Sequence, residues 1–115
     1  MHPVLREAFE NEMALARDLY RAGQYREAFT RLERAHVLGQ RHAWPHTVNH
    51  WWMLKTGVKL RDMREVLGQL PRTAFGGLGS LLGRVPLGNT GGANVGIFTP
   101  MAIPADLAEI LDRAR

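Results

Sequence analysis

The chain has 115 residues, 45% of them hydrophobic and 23% charged, with a formal net charge of +4 at pH 7. This length and composition predict one globular domain over residues 1–115, without room for a second independent core. Cysteine is absent, which excludes disulfides and thiolate metal sites and fits a cytoplasmic protein. No apolar stretch approaches the length of a membrane span, and no secretory signal is visible.

The N-terminal part of the chain predicts a pair of helices. Apolar residues recur at helical spacing over residues 4–22, and Gly23 follows as a stop signal. A second helix is predicted over residues 25–39. Because the join between them is short, we expect the two helices to pack antiparallel. Each carries a titratable side chain on its apolar face, Glu12 on the first helix and His36 on the second.

The middle of the chain predicts two more helices. Pro45 suits the first turn of a third helix running to about residue 60, and we expect the tryptophans of this region to face the core. A fourth helix is predicted over residues 61–70, with Pro71 ending or kinking it.

Glycine dominates the segment that follows. Eight glycines lie between residues 76 and 96, which predicts a loop region over residues 76–100 with a further helical turn or two near residues 78–82. Its segment 88–94 lacks the Lys-Ser/Thr ending of a phosphate-binding loop, so a loop that caps the bundle or covers a site is favoured. Pro104 then opens a short terminal helix. The sequence therefore predicts an all-α bundle of four to five helices.

Four of the five histidines fall within fifteen residues, between positions 36 and 50. His46 and His50 are four residues apart, which places both imidazoles on one face of a helix. Packing of the first three helices would bring this face together with the inner faces of the first and second helices, which carry Glu12 and His36. Imidazoles together with carboxylates favour borderline metals over Mg²⁺ or Ca²⁺. The sequence predicts a transition-metal site for Zn, Fe, Cu, Ni, Co or Mn. Its predicted ligands are His36, His46 and His50, with Glu12 as the balancing carboxylate and Glu33 as a ligand or orienting group.

Two alternatives to a metal-binding protein stay open at this point. A buried network of Glu–His hydrogen bonds would satisfy the same side chains and leave a helical module that binds a protein partner. Two histidines and one carboxylate could also form the open centre of a small metalloenzyme. No separate acid, base or substrate pocket is recognisable, so we assign no catalytic residues. The arginines are interspersed with acids, which favours a solvated helix surface over a nucleic-acid interface.

Residues 14–45 resemble one tetratricopeptide repeat. The resemblance lies in Gly23-x-Tyr25-x-Glu27-Ala28-Phe29, followed by Leu32 and Ala35. A single copy implies a helical hairpin, because repeat arrays need about three copies to be stable.

A second resemblance covers most of the chain and lies in LERAHVLGQR at residues 32–41, Pro45-His46, HWWML at residues 50–54 and GNTG at residues 88–91. These segments look like a family of short bacterial proteins of unknown function. This resemblance implies a helical protein that is often encoded near heavy-metal resistance genes. It favours a metal-handling role without defining an activity, and the five predicted ligands fall on matching positions.

Overall fold

A computed structural model describes residues 1–83 and 85–115, and within these ranges the chain is all-α. The described helices are α1 (Pro3–Arg21), α2 (Tyr25–Gly39), α3 (Ala43–Lys59), α4 (Met63–Leu81) and α5 (Ala105–Arg113). The predicted all-α bundle of four to five helices is confirmed. None of the described helices combines the length and the apolar character that crossing a bilayer requires.

The apolar core lies mainly among α1, α2 and α3. Phe9 and Met13 of α1 pack against Leu32 of α2 and Met53 of α3, and Leu107 of α5 closes one end of this cluster. These side chains are almost completely buried, and burying a side chain of this size contributes about 1.5–3 kcal/mol. α4 packs chiefly on α3, so the α3–α4 interface lies outside this apolar cluster and accommodates polar groups. The tetratricopeptide-like character of α1 and α2 stays a prediction.

The fourth helix is longer than predicted. It begins at Met63, where the side chain of Asp62 accepts a hydrogen bond from the Glu65 amide at 3.1 Å, and it continues through Pro71 to Leu81. A proline inside a helix removes one backbone hydrogen bond, but α4 is held along its length against α3. Tertiary packing thus overrides the local stop signal, and the loop begins after Leu81 rather than at residue 76.

The glycines in the second half of α4 are packing residues. A Cβ atom at Gly77 would lie 2.8 Å from Thr47 Oγ1 and 3.3 Å from the carbonyl oxygen of Ala43. A Cβ atom at Gly76 would lie 3.2 Å from Cδ2 of His50. The missing side chains let the α4 backbone approach α3 closely, so these glycines serve a helix interface and not a flexible segment.

The segment between α4 and α5 is organised around Asn89. This side chain is buried, and its Nδ2 donates hydrogen bonds to the carbonyl oxygens of Gly96 at 2.9 Å and Thr99 at 2.7 Å. Its Oδ1 accepts a hydrogen bond from the Gly91 amide at 2.8 Å. These bonds hold the segment together, and it contacts α4 through Gln69 and Arg72.

The expectation that the tryptophans face the core is wrong for two of them. Trp44 is 75% exposed and Trp51 is 49% exposed. Trp52 packs at the margin of the core, where its ring meets Tyr20 edge-on with centroids 5.4 Å apart. The ammonium group of Lys55 lies 3.3 Å from the centroid of the Trp52 ring, a cation–π contact that covers the outer face of this indole.

Candidate metal centre

Three histidines converge at the junction of α2, α3 and α4. The Nε2 atom of His36 lies 3.0 Å from that of His46 and 3.1 Å from that of His50, and the last two are 2.9 Å apart. All three side chains are buried. The spacing of four residues places His46 and His50 on one face of α3, and packing of α2 on α3 brings in His36. Across residues 1–83 and 85–115, this is the one group of three or more metal-ligating side chains that could hold an ion.

Hydrogen bonds at the Nδ1 atoms of His36 and His46 determine where their protons lie. Nδ1 of His36 is 2.6 Å from the carbonyl oxygen of Asn89, which can only accept, so this nitrogen carries the proton. Nδ1 of His46 is 2.8 Å from Ser80 Oγ. The Ser80 hydroxyl donates its own hydrogen to the carbonyl oxygen of Gln40, so it accepts from His46.

Gln69 determines the proton position of His50 in the same way. Its Nε2 donates to Glu65 Oε2 at 2.9 Å and to the carbonyl oxygen of Gly91 at 2.8 Å. The orientation of the amide is therefore fixed, and its Oε1 accepts from Nδ1 of His50 at 2.7 Å. The Glu65 carboxylate is held in turn by the amide of Ala93, 2.9 Å from both of its oxygens.

These bonds leave an unprotonated lone pair on each of the three Nε2 atoms. Three acceptors facing one another at 2.9–3.1 Å cannot hydrogen-bond together, whereas a cation can accept all three lone pairs. With metal–nitrogen bonds of about 2.0–2.1 Å, ligand nitrogens lie about 2.9 Å apart on an octahedral face and about 3.3 Å apart in a tetrahedron. The observed separations fall between these two values.

Burial keeps the imidazoles in the form that binds metals. It lowers the pKa of His46 to about 4 and the pKa of His50 to about 3. The pKa of His36 is also far below its usual range, because of burial first and then the neighbouring His50 and His46. At neutral pH all three side chains are therefore neutral, and no proton has to leave before an ion binds.

The histidines form one wall of a pocket of about 350 Å³. Three further polar residues, Gln40, Arg72 and Asn89, also line it. The remaining lining is largely apolar and includes Pro71, Phe75, Leu78, Leu82, Ile97 and Phe98. The histidine cluster thus borders a largely apolar cavity between α4 and the following segment.

The glycine-rich segment lies directly against the histidines. A Cβ atom at Gly91 would lie 2.5 Å from Cδ2 and 2.9 Å from Nε2 of His36. The φ angle of Gly91 is +84°, a conformation that L side chains rarely adopt. Both observations require glycine at this position, and they explain how the backbone comes close enough for Asn89 to accept the His36 proton.

The structure does not bring Glu12 to the histidines. Its carboxylate accepts hydrogen bonds from Nε of Arg34 at 2.9 Å and Nη1 of Arg31 at 3.3 Å. Arg34 also pairs with Asp106 of α5. The sequence indicated a buried carboxylate that needs a partner, and the partners are two arginines of α2. We therefore no longer assign Glu12 as the balancing carboxylate of a metal site.

Glu33 lies beside the site and is not part of the three-histidine group. Burial raises the pKa of its carboxyl, a hydrogen bond with Thr90 lowers it, and the nearby Glu65 raises it. Its carboxyl thus lies near Thr90 and Glu65, outside the histidine cluster.

Sequence reasoning missed Gln69 and Ser80, which hold His50 and His46 in place. A usable signal was present. In a helix that continues through Pro71, polar residues and a glycine recur on one face at spacings of four, seven and four, at Glu65, Gln69, Gly76 and Ser80. The prediction of a helix end at residue 70 hid this pattern.

Comparison with known proteins supports a family of unknown function, whereas the bacterial origin and the gene context that the resemblance implies stay predictions. The chain matches none of the curated proteins and none of the solved structures. One family model, described as a protein of unknown function, matches residues 3–111. This range includes the three histidines and all their hydrogen-bond partners. The chain therefore belongs to the DUF3703 family of proteins of unknown function.

Proposed function

We propose that the protein binds one divalent transition-metal ion through His36, His46 and His50. The observation that carries this proposal is the convergence of three Nε2 atoms within 3.1 Å while every Nδ1 has a hydrogen-bond partner. Metal-binding histidines characteristically donate the proton of the second ring nitrogen to such a partner. Neutral imidazoles suit Zn²⁺, Cu²⁺, Fe²⁺, Co²⁺ and Ni²⁺, whereas Ca²⁺ and Mg²⁺ require oxygen ligands.

The same geometry argues against a metal-free polar network. Such a network needs donors and acceptors in alternation, and the three Nε2 atoms are all acceptors. An interaction module with a purely structural polar core would therefore carry an unfavourable buried cluster. The carboxylate of a two-histidine, one-carboxylate enzyme centre is also missing from the group among the described residues.

We infer that the protein acts in metal tolerance or homeostasis, as a sensor, buffer or chaperone of the bound ion. Three neutral ligands leave at least one coordination position free, and the pocket gives access to it. A site with these properties can exchange an ion with another ligand, which metal handling requires.

The test is metal titration of chelator-treated protein with each of the five ions. We expect one ion per chain. At a free metal concentration 1,000-fold above Kd, the stabilisation is about 4 kcal/mol, which raises the melting temperature of a domain of this size by about 10–20 °C. His46→Ala should abolish this shift. His42→Ala is the matched control, because His42 lies at the N-cap of α3 without a capping hydrogen bond. Equal metal responses from the two variants, or no response from the wild type, would disprove the proposal.

A further inference from the structure

We propose that the free coordination position of the metal binds the carboxylate of a small organic acid whose hydrocarbon part fills the adjoining pocket. This inference rests on the proposed metal site. The ligand histidines form one wall of the pocket, so a molecule in the pocket can reach the ion directly. A volume of about 350 Å³ lies at the small end of the range for ligand pockets, about 300–1,000 Å³.

Charge determines that the ligand is an anion. The three imidazoles are neutral, so a bound ion keeps both positive charges. The carboxylate of Glu65 is not part of the three-histidine group. It is held by Gln69 and by the Ala93 amide, and it attracts the neighbouring Arg72. Two positive charges in an apolar pocket are unfavourable without a counter-charge, and an anion on the ion supplies it.

The apolar lining determines the rest of the ligand. Phe75 and Phe98 stand at the pocket with 67% and 78% of their surface exposed, and Ile97 beside them is 47% exposed. Clustered exposed apolar side chains around a cavity are typical of ligand sites. A hydroxide or chloride ion would neutralise charge but leave this surface in water, whereas a carboxylate with a hydrocarbon chain covers it.

Gln40 provides the second polar contact. Its side chain is 2% exposed, the residue borders both this pocket and a second cavity beside α5, and its Oε1 has no hydrogen-bond partner among the described residues. Rotation of the terminal amide exchanges its oxygen and nitrogen positions. The amide can then donate a hydrogen bond to the carboxylate oxygen that does not bind the metal. The ligand thus gives the Gln40 side chain the hydrogen-bond partner that it lacks.

The experiment uses the full chain loaded with Co²⁺, whose visible absorption reports changes in coordination. Hexanoate should change the spectrum saturably, with a Kd at least tenfold lower than that of acetate, because each buried methylene strengthens binding about fourfold. Hexanol should leave the spectrum unchanged. Gln40→Met should weaken binding of both acids about tenfold. Phe75→Ser should weaken hexanoate binding and leave acetate binding unchanged, because it alters only the apolar wall.

The outcomes separate the two proposals. If none of the five ions binds, both proposals are overturned. If one Co²⁺ binds but hexanoate does not alter its spectrum, or acetate binds as tightly as hexanoate, the carboxylate proposal is overturned and the metal site stands. N-acetyl-Gly-Leu, which imitates a peptide C-terminus, is titrated in parallel. Tighter binding of this compound than of hexanoate would overturn the assignment to a free small acid in favour of a peptide.

Discussion

Replacing Gln69 by methionine should weaken metal binding and lower the stability of the metal-free protein. The side chain of Gln69 is fully buried and connects His50, Gly91 and Glu65 through hydrogen bonds of 2.7–2.9 Å. Methionine keeps the length of the side chain and its suitability for a helix, but it removes both the donor and the acceptor. The substitution therefore deletes the hydrogen bonds with little change in packing.

The magnitude follows from the groups that lose a partner. The Nδ1–H of His50 and the carbonyl oxygen of Gly91 are left without Gln69, at about 1–3 kcal/mol each, so unfolding free energy should fall by about 2–6 kcal/mol. Glu65 keeps its bonds to the Ala93 amide. Without its acceptor, the imidazole is free to move its proton to Nε2, which removes the ligand lone pair. Loss of such an orienting bond weakens metal binding about 10–100-fold.

Urea denaturation of the metal-free protein and competition with a chromophoric chelator measure the two effects separately. Gln24→Met is the matched control, because Gln24 is exposed and makes no side-chain capping bond. A folded Gln69→Met protein whose metal Kd stays within about threefold of the wild-type value would refute the argument that hydrogen bonds at Nδ1 fix the ligand form of the histidines.

Three further predictions concern pH, the loop and the ion pairs. The metal-free protein should lose stability as pH falls from about 6.5 toward 4. In this range the histidines of the unfolded chain take up protons, while His46 and His50, with pKa values near 4 and 3, stay neutral in the folded protein. His50→Gln should therefore reduce the slope of unfolding free energy against pH by about 1.4 kcal/mol per pH unit. Gly91→Ala should weaken metal binding and destabilise the fold. Gly23 is the control, because it has a φ of +77° and open space around it, so Gly23→Ala should show only the backbone cost of about 1–2 kcal/mol. Equal metal affinities in the two variants would contradict the steric argument. Glu12→Gln should lower unfolding free energy by about 1–3 kcal/mol with metal stoichiometry unchanged, and a loss of bound metal would return this residue to the site.

The helices and the common face of His46 and His50 were predictable because their signals are local. Apolar periodicity locates α1 and α2, and the four-residue spacing of His46 and His50 fixes their common face on α3. The same periodicity identified Glu12 as buried, but it could not identify what lies across the interface. That depends on the rotation of α1 against α2, which places two arginines opposite the carboxylate.

The remainder of the site was not predictable from local patterns. Pro71 and the glycines after it indicate a break in a helix, and only packing on α3 makes them part of α4. The bond from His36 to Asn89 uses a backbone oxygen, which any residue type provides, so it leaves no trace in the sequence. Helix propensity describes a chain segment in isolation, whereas the continuation of α4 and the His36 bond depend on the elements that pack against each segment.

The origin of the hydrogen-bond partners has a consequence for folding. The three clustered histidines come from one short stretch of chain, but their partners lie 53 residues away for His36, 34 for His46 and 19 for His50. Bringing such distant groups together requires the closure of long loops, which is entropically costly and slow. If the protein binds metal as we propose, the histidine pair on α3 alone would bind an ion weakly while the chain is still folding. Tight binding would require the C-terminal half to be in place, and metal affinity would then report that folding is complete.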